Sequence, residues 1–135
     1  MIGCFFKDSH TPTMNKLIHV VEDDDDIRFI VEYILIETGY NVTSSATARE
    51  FNDYLNSAKP HLVILDVMLP DGNGIDLCRK MRSDDNLKDI SIIIMSAHAA
   101  EKAVIEQACA DDFISKPFDL DQLIAHVKKI LPAEF

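Results

Sequence analysis

The side chains able to handle a phosphoryl group sit in separated stretches: Glu22 and Asp23 in "VVEDDDD", Asp66 in "HLVILD", Ser96 in "IIIMSAH" and Lys116 in "FISKPF". Gathered at one point, such carboxylates repel one another and hold their protons unless a cation neutralises them. With oxygen donors and no His/Cys cluster, the fitting cation is hard, Mg2+ or Mn2+, not a softer metal. Lys116 adds a fixed positive charge and Ser96 a hydroxyl donor, so metal, ammonium and hydroxyl together can hold the oxygens of a phosphoryl group. Asp66 is then the nucleophile, an aspartyl phosphate being one form of carboxylate covalent chemistry. The same grouping explains why an apolar run ends on an acid, which alone would be costly to keep charged.

Such a site needs elements that bring its parts to one edge. From residue 16 the chain alternates short β-like runs with helical patterns. "KLIHVV" (16–21) reads as a strand, and the acidic cluster after it caps a helix with Ile27, Ile30, Val31, Ile34 and Leu35 on one face, stopped at Gly39. "YNVTSS" is a second, less apolar strand expected at an edge; a helix over 47–58 buries Ala48, Phe51 and Leu55, and Pro60 closes the unit. "HLVIL" is the third strand, followed by a Pro-Asp-Gly turn and a helix carrying Leu77, Cys78 and Met81. "ISIIIM" (90–95) is the fourth strand, apolar enough for helices to cover both its faces. A weakly amphipathic helix from about Ala99 to Ala108, a short strand "DFI" (112–114) and a final helix with Leu120, Leu123, Ile124, Val127, Ile130 and Leu131 complete the pattern. Repeated β-then-α alternation implies a parallel, doubly wound α/β sheet with right-handed crossovers and helices on both faces. In such sheets functional groups gather beyond the carboxyl ends of the strands, where all the residues named above fall.

Composition narrows the rest. At 135 residues the chain suits one domain, read as 16–135 behind an N-terminal arm, 1–15, that has no place in the pattern; Met14 is an alternative start. A formal net charge of -10 repels a phosphate backbone, so direct nucleic-acid binding is not expected. No apolar stretch approaches the ~20 residues of a membrane span, and no signal-peptide pattern opens the chain. The three cysteines, Cys4, Cys78 and Cys109, are far apart and without C-x-x-C spacing. That argues against a disulfide framework and a thiolate zinc site, and for a reducing cytoplasm.

Taken singly, each group has a plainer explanation. The acidic run is a solvated helix start, the role kept here for Asp24–Asp26; Asp66 opens a turn; Lys116 is a surface charge before Pro117. The functional reading rests on their coincidence at neighbouring strand ends.

"VVEDDDDIR", "LVILDVMLPDGNGIDLCRKMR", "IIIMSAH" and "ADDFISKPF" together resemble the receiver domain of two-component response regulators, over roughly residues 16–131. The resemblance implies a flavodoxin-like five-stranded sheet of order 2-1-3-4-5. It implies Asp66 as phosphoacceptor, Asp23, Asp66 and the Met68 backbone carbonyl as direct Mg2+ ligands, and Glu22 acting through water. Ser96 matches the hydroxyl that moves onto the phosphoryl group, Lys116 the lysine that pairs with it, and Phe113 the aromatic switch that turns inward. Met68 and His98 match the rim positions. The coupling would reshape the face made by the fourth helix, fifth strand and fifth helix. The implied partners are a sensor histidine kinase or histidine phosphotransfer protein upstream and an unidentified protein target downstream. The role is that of a signalling domain which assists its own phosphotransfer and dephosphorylation, not of an enzyme in the ordinary sense.

One position departs from the pattern. Many relatives carry Gly where Cys109 stands, at a helix end that often needs a left-handed residue, and a non-Gly residue in that conformation costs about 1 to 2 kcal/mol. A redox role is open there, but a small buried apolar role is the expected one. Rival chemistries fare worse. A haloacid dehalogenase-type phosphatase needs an acid where Met68 stands, "DGNG" supplies neither nucleotide-binding glycine motif, and Ser96-x-His98 is a poor nucleophile and base pair. A degenerate receiver, binding proteins without phosphorylation, is the serious alternative. The chain ends four residues after Leu131, so a stand-alone or excised receiver is expected, with output through partners.

Overall fold

The computed structural model describes residues 15–97 and 109–132. Strand β1 (Leu17–Val21) is buried from Ile18 onward, and helix α1 (Asp25–Thr38) follows. Asp24 caps that helix, accepting from the backbone N–H groups of Asp26 and Ile27, and Gly39 ends it at φ 112°, a left-handed conformation that favours glycine. Strand β2 (Asn41–Ser45) leads to Thr47, whose side chain caps α2 (Ala48–Leu55). Strand β3 (Leu62–Asp66) is buried throughout, Asp66 included. A small antiparallel hairpin, β4 (Met68–Leu69) and β5 (Gly72–Asn73), precedes α3 (Gly74–Arg82). Strand β6 (Ser91–Ser96), strand β7 (Asp112–Ser115) and helix α4 (Leu120–Ile130) complete the described elements. The expected helix over Ala99–Ala108 lies outside the described residues, as does the arm up to Met14.

The sheet order is β2-β1-β3-β6-β7 with every pairing parallel. Leaving out the hairpin strands, this is the 2-1-3-4-5 order of the doubly wound, flavodoxin-like fold. Period-two alternation sends neighbouring residues of each central strand to opposite faces. Val63 and Leu65 join a core with Phe51, Cys78 and Met81 of α2 and α3, whereas Leu62 and Ile64 join one with Val31, Leu35, Leu123 and Val127 of α1 and α4. Each buried Leu or Ile contributes about 1.5–3 kcal/mol, so the two apolar layers fix the strand register and with it the edge where the strands end.

β2 lies at the sheet edge, as its composition predicted, and its polar residues have a partner. The buried His19 ring in β1 stacks on Tyr54 and lies 2.7 Å from both Thr43 Oγ1 and Ser45 Oγ. Burial lowers the His19 pKa to about 4, so it is neutral at physiological pH.

Several expectations need correction. Ile30, placed on the buried stripe of α1, is 40% exposed, because Val31 and Leu35 already fill the contact with the sheet. The second helix stops at Leu55 rather than 58, and Leu55 is only half-buried. Against the expectation of unpaired cysteines, Cys78 and Cys109 form a disulfide across 31 residues of sequence. Cys109 is half-buried and bonded rather than a small buried apolar filler. Spacing along the chain could not show this, because the fold lays the segment ahead of β7 beside α3.

Candidate functional site

The carboxyl ends of β1, β3, β6 and β7 meet at one edge. Beyond β1, the Glu22 N–H donates to the Ser45 carbonyl at 3.1 Å, which turns its carboxylate inward, where it is 1% exposed. Asp66 ends β3 buried, while Asp23 faces solvent. Carboxylate oxygens of Glu22, Asp23 and Asp66 all lie within 4.8 Å of one another. Lys116, from the loop after β7 and joined to Pro117 by a cis peptide, donates to Glu22 Oε1 at 2.7 Å and stands 3.2 Å from Asp66 Oδ2. The acid at the end of an apolar strand is thus held by a lysine from two strands away.

The electrostatics follow from that geometry. Burial raises the Glu22 pKa above the ordinary carboxylate range, against the Lys116 hydrogen bond and the Asp24 N–H, and the Asp66 charge adds to the rise. Burial disfavours the Lys116 ammonium. Its hydrogen bond to Glu22 and the charges of Asp66 and Glu22 outweigh this and hold its pKa above the ordinary value. Carboxylates still outnumber the ammonium, and the donors are all oxygen, two of the groups buried and one open to solvent. Such a set fits a hard divalent cation.

Ser96 ends β6, almost fully buried, one residue beyond the Met95 that pairs with Asp66; its carbonyl accepts the Lys116 N–H at 2.8 Å. Phe113 is 6% exposed, its ring inside the cluster that holds Val21 and Leu65. Met68 opens the hairpin with its side chain 66% exposed. His98, the other rim position, lies outside the described residues. At the far end of β7, buried Asp112 is shared by His126 and by Lys129 at 3.0 Å, which ties α4 to the strand carrying Phe113.

The loop after Asp66 is pinned by Asp71, whose sequence signal is that of a turn residue, and by Gly74. The Asp71 carboxylate accepts from the Ala48 and Arg49 N–H groups at 2.7 and 3.0 Å, fastening the hairpin to the start of α2, and the Ala48 bond foremost holds its pKa below the ordinary range. The Gly74 N–H donates to the Val67 carbonyl at 2.8 Å. A Cβ on Gly74 would overlap the Asp66 carbonyl oxygen and stand 2.9 Å from its carbon. Gly74→Ala should therefore displace the Asp66 backbone and destabilise the protein by about 2 kcal/mol, as overpacking does. Denaturant unfolding checks this; an unchanged midpoint would show that the loop absorbs the methyl group.

No helix among the described residues is long and apolar enough to cross a membrane. Residues 18–128 match the model of the response regulator receiver domain. The transcriptional regulatory protein GltR of Pseudomonas aeruginosa is 37% identical over 118 residues, which span 86% of this chain and 49% of that protein. The chain spans about half the length of the curated relatives it matches. Among solved structures, a response regulator from Chloroflexus aurantiacus superposes with a TM-score of 0.81 at 30% identity, covering 86% of this chain and 97% of that one. The response regulator TrrA of Thermotoga maritima, solved in complex with Mg(2+)-BeF, gives 0.76 at 31% identity over 85% of this chain and 98% of that one. With its sheet order, its acidic edge and a match over most of its length, the chain belongs to the response regulator receiver domain family.

Proposed function

We propose that the chain accepts a phosphoryl group on Asp66 from a phosphohistidine of a sensor histidine kinase or histidine phosphotransfer protein. The observation that carries this is the Lys116 ammonium bridging buried Glu22 and Asp66 within a cluster of three carboxylates. An Asp66 oxygen attacks phosphorus, the P–N bond to the partner imidazole breaks, and the aspartyl phosphate remains. Glu22, Asp23, Asp66 and the Met68 carbonyl would hold Mg2+, which when bound neutralises charge on the phosphoryl oxygens. Lys116 moves from its carboxylate partners to a phosphoryl oxygen, and the Ser96 hydroxyl donates to another. That movement stabilises the buried position the Phe113 ring occupies, and the Asp112–His126–Lys129 contacts carry the change from β7 to α4.

The donor must reach Asp66 past α1, whose exposed side bears Phe29, Ile30, Tyr33 and Ile36. A cavity of about 480 Å3 between α1 and the loop after β7 is lined by Ile27, Ile30, Pro117 and Phe118 and bordered by Lys116. An apolar helix surface of the phosphohistidine partner suits this face. The capture of Mg(2+)-BeF by TrrA supports the same chemistry here. A protein-binding module without phosphorylation is less favoured, because it has no use for a buried acid pair beside a lysine. The test is intact mass after incubation with acetyl phosphate: one phosphoryl group should be gained with Mg2+ and none with a chelator. Equal gain without the metal, or none with it, rejects the proposal.

The exposed Met68 side chain offers a flexible apolar cover with no strong hydrogen-bonding group, and hinders the in-line water that hydrolysis needs. Met68→Asn should lose phosphate about tenfold faster in excess Mg2+, equivalent to about 1.4 kcal/mol in the barrier. Equal or slower loss would show that the methionine does not limit water. Any contribution of His98 to the same rim is to be read from His98→Ala beside it.

A further inference from the structure

The Cys78–Cys109 pair has no part in the chemistry proposed for the acidic edge. Its Cα atoms are 5.8 Å apart, inside the roughly 4.4–6.8 Å that disulfides span, so the fold itself brings the two thiols within bonding reach. Cys78 is fully buried in α3, whereas Cys109 is half-buried just ahead of β7. Arg82, one turn beyond Cys78 on the same helix, donates to the Cys109 carbonyl at 2.7 Å and pairs with Asp111 at 2.7 Å. This second tie grips the Cys109 carbonyl and the Asp111 side chain, so reduction does not unfold the segment but leaves the Cys109 side chain free to move relative to Cys78. Cys78 shares its apolar cluster with the Phe113 ring, and Cys109 packs against that cluster. The bond therefore crosses the same apolar cluster that holds the ring.

We propose that Cys78 and Cys109 are a reversible thiol–disulfide site, and that the oxidised pair damps the response of β7 and α4 to phosphorylation without blocking uptake at Asp66. The second half rests on the phosphoacceptor reading above. The oxidant is a small-molecule disulfide such as oxidised glutathione. The more accessible Cys109 thiolate attacks it, its S–S bond breaks, one glutathione thiolate leaves, and a mixed disulfide forms. The Cys78 thiolate then attacks Cys109 Sγ and expels the second glutathione thiolate. The two protein thiols lose two electrons and two protons, and the oxidant becomes two thiols. With the bond closed, the Cys109 side chain cannot shift relative to Cys78, so the cluster shared with the Phe113 ring adjusts less when Ser96 and Lys116 engage the phosphoryl group.

The experiment uses the full chain with Cys4→Ser, equilibrated in glutathione mixtures, its free thiols trapped by alkylation and weighed. Two alkylated cysteines should give way to none as the mixture becomes oxidising, and Cys78→Ser should stop at a glutathione adduct on Cys109. Thiols that stay alkylatable throughout, or a bond that opens only after denaturation, overturn the reversible site. The oxidised and reduced forms are then phosphorylated, uptake is read by mass, and amide spectra are compared. Uptake should be equal, and the shifts over residues 112–130 about halved in the oxidised form. Equal shifts overturn the damping. Absence of uptake in both forms overturns the phosphoacceptor reading and the damping with it, while the thiol titration still decides the modification site.

Discussion

Asp66→Asn should take up no phosphoryl group while folding normally. The amide keeps the size of the carboxylate but is no nucleophile, so loss of labelling should be complete rather than partial. The fold tolerates the change for a reason visible in the site: Lys116 keeps its 2.7 Å bond to Glu22, so no buried charge is stranded. The unfolding midpoint should accordingly shift by less than about 1 kcal/mol of stability. Intact mass with acetyl phosphate and Mg2+, read beside a denaturant curve, separates the two effects. Persistent full labelling of a folded variant would mean that another group, Glu22 or Asp23, accepts the phosphate, and the assignment would fail.

The parts of this architecture legible in the sequence were those set by local pattern. The strong alternation of "HLVIL" and "ISIIIM" with helical stripes placed the central strands, and the strand ends placed Glu22, Asp23, Asp66, Ser96 and Lys116 at one edge. What the sequence hid depends on distant packing. Asp71 reads as a turn residue because its partners, the Ala48 and Arg49 amides, come from an earlier helix. Gly74 carries no signal in the sequence beyond failing a nucleotide-binding glycine motif, because its crowding against Asp66 arises only when the loop folds back. Cys78 and Cys109 read as unrelated because their meeting requires α3 to lie beside the approach to β7. Ile30 fits the helical stripe by period, but whether a stripe position is covered depends on how the helix is rotated on the sheet.

Lys116→Ala should show the largest loss of stability, and the loss should depend on pH. In metal-free protein the substitution leaves Glu22 and Asp66, 1% and 5% exposed, facing each other without their cation. Breaking a buried pair destabilises by several kcal/mol; with Lys116 itself 18% exposed, about 3 kcal/mol at neutral pH is expected. Burial already makes Glu22 bind its proton more tightly in the folded chain than in the unfolded one, and removing Lys116 strengthens that preference. Above the ordinary carboxylate pKa the folded variant then carries more protons than the unfolded chain, so its stability falls as pH rises. In the wild type Lys116 opposes the Glu22 rise and makes that fall smaller, while the raised Lys116 pKa contributes stability that is fully present below the ordinary lysine value of 10.5 and lost only as pH rises through the folded value. The gap between the two proteins should therefore be narrow in mild acid, where Glu22 is protonated, and widest near neutrality. Mg2+ should stabilise the variant, because a cation bound to the folded site alone shifts the folding equilibrium. Glu22→Gln added to Lys116→Ala should recover much of the loss by removing the stranded charge. Signalling should fail even where chemistry survives: some phosphate is still accepted, since Asp66 and the carboxylates remain, but the amide shifts over residues 112–130 should be lost. A variant as stable as wild type at neutral pH, with the same pH dependence, would show that the lysine does not hold the acid pair. Wild-type shifts in the phosphorylated variant would remove it from the switch.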